Sequence, residues 1–105
     1  MRELLRPSGI VGQEDATEIV RFWLAGGQPH LSLLLGMYED SEDCDVDEFW
    51  AWGNILADIA QHVAHGMQQS HGYDKEDSLR SITQYFNQAM SKRTNGVVGE
   101  YVEDA

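Results

Sequence analysis

From Asp47 to Ser70 the chain reads DEFWAWGNILADIAQHVAHGMQQS. Phe49, Trp52, Leu56, Ile59, Val63 and Met67 step by 3, 4, 3, 4 and 4 in it. That spacing gathers apolar side chains into one stripe along an α-helix. Beside the stripe run Gly53, Ala57, Ala60 and Ala64, small enough for a sheet or a second helix to approach closely. Asn54, Asp58, Gln61, His62, His65 and Gln68 fall on the opposite, polar side. A helix over about 46–70 would be about 36 Å long at the usual rise per residue. An element so long and one-sided must bury its stripe, so the rest of the chain is read for what could cover it.

Upstream, TEIVRFWLA at 17–25 is rich in β-branched and aromatic residues, and Gly26-Gly27 separates it from QPHLSLLL. Two such runs around a Gly-Gly pair predict a β-hairpin with a two-residue turn, over about 17–35. The turn sets a register in which Ala25 faces Gln28, Phe22 faces Leu31 and Val20 faces Leu33. Alternation then puts Val20, Phe22, Leu24, Leu31, Leu33 and Leu35 on a wholly apolar first face, to be covered by helix. The second face holds Ile19, Arg21, Trp23, His30, Ser32 and Leu34. Pro29 opposes Leu24 in a non-hydrogen-bonded pair, which makes the second strand an edge near Pro29. Beyond it, Leu31 to Leu35 are free to pair outward.

Seven of the ten residues Glu39–Glu48 are acidic, and their mutual repulsion favours an open loop. Asp45 is the expected N-cap of the long helix, with Glu48 completing a capping box. Gly72 is the expected terminator. Asp74 then caps a second helix over about 75–92, with Leu79, Ile82, Phe86, Ala89 and Met90 as its stripe and Lys92 and Arg93 at its C-terminal end. Residues 1–16 have no period and read as an extended arm, with Ile10 and Val11 able to tack it to the body. Residues 94–105, TNGVVGEYVEDA, read as a flexible acidic tail. The fold class expected is α+β: a single domain over 17–93, with both helices on one face of a sheet that dimerisation completes.

At 105 residues the chain holds one modest core. Its net charge of −11 disfavours direct binding to nucleic acid and to anionic membranes, and makes a basic partner easier. The single cysteine, Cys44, excludes an intrachain disulfide and fits a reducing, cytoplasmic setting. No apolar run has the length of a signal peptide or a membrane span.

Candidate sites are few. Asp58, His62 and His65 lie at i, i+4 and i+7 and share one helical face, a carboxylate and two imidazoles of the kind that hold zinc or nickel. The simpler reading is a solvated polar face with an Asp58–His62 pair, and the spacing is not that of HExxH. Asp43, Asp45 and Asp47 alternate like the start of an EF-hand loop. Glu48 and Asn54 then occupy the positions where that loop needs glycine and a bidentate glutamate, so an EF-hand is excluded. Cys44 sits between Asp43 and Asp45, which suppress the thiolate a nucleophile needs. No Ser-His-Asp pattern, GxSxG, P-loop or GxGxxG occurs, so no catalytic residue and no cofactor is assigned. The second sheet face, with Ile19, Trp23, His30 and Leu34, is the expected dimer interface. Small-ligand binding beside Trp50 and Trp52 would need a defined pocket.

The runs IVRFWLAGGQPHLSL at Ile19–Leu33 and WGNILADIAQHVA at Trp52–Ala64 resemble a family of small bacterial proteins known only as a domain of unknown function. The resemblance covers about half the chain. It implies a small α+β domain and brings no reaction, cofactor or catalytic residue. The acidic stretch Glu39–Glu48 is longer than that family has there. These readings point to a non-catalytic, cytoplasmic interaction module that homodimerises and could engage a further protein partner. A metal-binding sensor or metal-dependent enzyme using Asp58, His62 and His65 is the alternative.

Overall fold

A computed structural model describes residues 1–38, 46–92 and 98–103. The hairpin is present in the register that its turn dictates. Strands β1 (Val20–Ala25) and β2 (Gln28–Leu35) pair antiparallel, with Ala25 opposite Gln28, Phe22 opposite Leu31 and Val20 opposite Leu33. Gly26 and Gly27 both have positive φ, 60° and 74°, as the two central positions of a type I′ turn require. One further bond, from Leu34 N–H to the Ile19 carbonyl at 3.0 Å, carries the pairing just past β1.

Two helices follow, α1 (Glu48–His71) and α2 (Lys75–Lys92). The N-cap of α1 is Asp47, whose carboxylate accepts from the Trp50 N–H at 3.0 Å. The cap expected at Asp45 is therefore displaced by two residues, and Asp45 itself lies outside the described residues. An acidic run offers several possible caps, and the one used is the last before the apolar stripe begins. Gly72 ends α1 in the left-handed conformation at φ 73°, its N–H bonded to the Gln68 carbonyl at 2.9 Å. Asp74 opens α2, accepting from the Asp77 N–H at 2.9 Å. Glu76 and Asp77 in its first turn and Lys92 in its last match the sign of the helix dipole at each end.

Two sequence expectations need correction. The first concerns the tail, because Val98–Glu103 forms a third strand, β3, parallel to β2 with Leu31 opposite Gly99 and Leu33 opposite Tyr101. The sheet order is β1-β2-β3, so the outward edge of β2 is occupied and β2 is the central strand. Parallel pairing needs a long crossover, and the two helices supply it. Gly99 is required at its position, since a β-carbon there would overlap the Leu31 carbonyl. Gly99→Ala should therefore detach β3 and cost about 1–3 kcal/mol. Loss of amide protection in β3, with β1 and β2 retained, would show it, whereas Gly9→Ala, with open space around Gly9, should change nothing.

The second correction concerns coverage. Backbone packing joins β1 to β2, β2 to β3 and α1 to α2, and among the described residues neither helix packs on the sheet. The expectation that both helices cover a sheet face of their own chain is not met. Only Ala51 and Ala64 are buried among the described residues. Ala64, with no exposed surface, lies in the row of small side chains on α1, and α2 is the element packed against that helix. Residues 1–18 are exposed along their whole length, with one 3-10 turn at Ser8–Ile10. Val11 is 80% exposed, whereas Ile10, in that turn, keeps 38% of its surface.

Candidate interaction surface

Glu48 joins the sheet to the helices. It stands in the first turn of α1, and its carboxylate accepts from the Gly36 N–H at 3.2 Å and the Tyr38 N–H at 3.0 Å. It also accepts from the Trp52 indole at 2.7 Å. Two backbone donors that β2 leaves unpaired after Leu35 are thereby satisfied by a charge, the stronger kind of hydrogen bond. Glu48 thus fixes where the long helix starts relative to the central strand.

Large apolar groups stand open on both sides of that joint. On the first sheet face Phe22 is 57% exposed and Leu24 74% exposed, and Tyr101, opposite Leu33 in β3, extends the same patch. On α1, Phe49 is almost fully exposed, and Leu56, Ile59 and Val63 each keep about half of their surface. On α2, Phe86 and Met90 also stand open. Isolated exposed apolar residues are ordinary, but contiguous stripes of this size mark an interface.

The four residues expected at the interface, Ile19, Trp23, His30 and Leu34, are half-buried on the second sheet face. Trp23 opposes His30, as the register requires. His30 Nε2 lies 3.3 Å from the Ala25 carbonyl. Arg21 on that face pairs with Glu18 at 2.8 Å. The Glu18 hydrogen bond and charge raise the Arg21 pKa above its usual value. The pair is solvent-exposed and contributes little. Phe22 and Leu24 on the first face are thus more open than the four residues singled out from sequence. Alternation along the strand identifies both faces and does not say which is left bare.

Asp58, His62 and His65 are all exposed on α1. Among the described residues, no three His, Cys, Asp or Glu side chains are grouped so that they could hold a metal ion. From i to i+7 the three side chains spread over about 10 Å of helix. His71, the last residue of α1, turns elsewhere: its Nδ1 lies 2.6 Å from the Ser70 hydroxyl and its ring stacks on Tyr73 at 6.1 Å. Cys44 and the acidic run Glu39–Asp45 lie outside the described residues. A shallow open depression on α2 is lined by Leu79, Arg80, Thr83 and Asn87, away from Trp50 and Trp52. Among the described residues no helix is long and apolar enough to cross a membrane.

The sequence profile of a domain of unknown function, DUF5076, matches residues 3–94. Comparison with curated proteins gives no match. A solved structure from the photosynthetic bacterium Rhodopseudomonas palustrus, provisionally named a pyruvate dehydrogenase, is similar at a TM-score of 0.65 and 23% identity. The similarity covers 93% of this chain and 92% of that one. At that identity the likeness shows the fold alone.

Proposed function

The chain belongs to the DUF5076 family, and from that premise we propose that it is a non-catalytic interaction module of the bacterial cytoplasm that works as a homodimer. One observation carries the reading: among the described residues, two alanines are all that the single chain buries. Ordering a chain of about 100 residues costs of the order of 100 kcal/mol or more in conformational entropy. Apolar burial is the term that offsets it. A chain that leaves its large apolar side chains open must obtain that burial from another chain.

Composition supports the same reading. The −11 charge keeps such a protein soluble and favours a basic rather than an acidic further partner. A lone cysteine suits a reducing compartment.

Native mass spectrometry of untagged protein tests the proposal in one spectrum. The expected result is a species at twice the 11.8 kDa chain mass, with no bound metal. A single species at 11.8 kDa would overturn the dimer. One zinc or nickel per chain would overturn the non-catalytic reading and make Asp58, His62 and His65 the first residues to replace.

A further inference from the structure

The accessible surface of the chain is 9288 Å². A folded monomer of its mass exposes about 5,900 Å², which leaves an excess of about 3,400 Å². The radius of gyration agrees: it is 15.9 Å, against about 13 Å for a compact chain of this length. The exposed arm and the open sheet and helix faces all contribute to the excess. Obligate dimers bury about 2,000–5,000 Å² in total, so the surplus on each of two copies is ample.

The two open faces also suit each other. The first sheet face is apolar along β1, whose six residues span about 20 Å. The α1 stripe from Phe49 to Val63 spans about 21 Å and carries no charge. A strand–helix–helix–strand crossover ordinarily lays its helices back on its own sheet. Here they do not reach it, while Glu48 fixes the start of α1 at the end of β2.

We propose that two copies exchange coverage, the α1 stripe (Phe49, Leu56, Ile59, Val63) of each chain packing on the Phe22–Leu24 sheet face of the other. The proposal rests on the homodimer reading and names the surface that makes it. It gives an isologous, two-fold interface in which each chain completes its partner's core. A dimer joined through the second sheet faces would leave both the Phe22–Leu24 patch and the helix stripe in water.

Photo-crosslinking tests the exchange. A benzophenone amino acid replaces Phe22 in one preparation and Leu24 in another, so that a fault in one variant does not end the test. Each is refolded as a mixture of light and heavy-nitrogen chains and irradiated, and the joined peptides are identified by mass. The expected products link β1 to α1 residues 49–67, with mixed isotope labels in about half of them. Links from β1 to α1 with matched labels only would mean that the helices close over their own sheet, and would overturn the exchange. Mixed-label links confined to sheet residues would overturn it as well, while leaving the dimer standing. A protein that sediments as a monomer and yields no mixed-label product would remove the dimer and the exchange together.

Discussion

Ile59→Glu is expected to abolish self-association at concentrations where the wild-type chain is dimeric. Ile59 sits mid-stripe on α1 and keeps 47% of its surface in the single chain. In the proposed dimer it lies against the partner's sheet face, where a carboxylate would be desolvated with no cation to meet it. A loss of at least 3 kcal/mol, or more than a hundredfold in dissociation constant, follows. Sedimentation equilibrium over a concentration series would measure it. Gln61→Glu adds the same charge on the polar side of the same helix and should stay within about 0.5 kcal/mol of wild type. Equal effects from the two substitutions would point to net charge, rather than the stripe, as the cause.

Glu48→Ala is expected to produce the second large effect, in stability. The substitution strips the acceptor from the Gly36 and Tyr38 N–H groups and from the Trp52 indole. Leaving part-buried donors without partners costs about 1–3 kcal/mol each when water cannot replace the acceptor. These sites are partly open, so about 2–4 kcal/mol in total is expected, read as a lower urea midpoint with a red-shifted tryptophan emission. Glu48→Gln keeps one acceptor oxygen and should fall between. An alanine variant as stable as wild type would show that water satisfies all three donors, and that Glu48 does not fix the start of α1.

The parts of the fold legible in the sequence are those that local chemistry decides. Gly26-Gly27 fixes the hairpin register, because only one pairing closes a two-residue turn there. Asp74 and the positive end at Lys92 bracket α2, and Gly72 stops α1 for want of a β-carbon. What escaped was non-local. β3 is six residues of VGEYVE, with no turn or period strong enough to mark it, and it forms because β2 offers a long edge next to it. The N-cap, Asp47, falls two residues after the expected Asp45 because seven carboxylates crowd one stretch and several of them suit the role. The sheet's coverage is illegible for a different reason: alternation in Val20–Leu35 shows that a face must be covered, and nothing in one chain's spacing says by whose helix. Asp58, His62 and His65 share a helical face, but such a face is a line rather than a point, so their spacing alone does not bring three ligands to one ion.

The parallel pairing of β2 with β3 also has a consequence in time. Leu31 and Gly99 meet across about 70 residues of chain, so the sheet is a slow, high-contact-order element. On the ribosome the hairpin is made first, and the outer edge of β2 then waits, unpaired and leucine-rich, until residues 98–103 have emerged. During that interval the nascent protein presents a sticky strand edge, a hazard for aggregation and a natural target for chaperones.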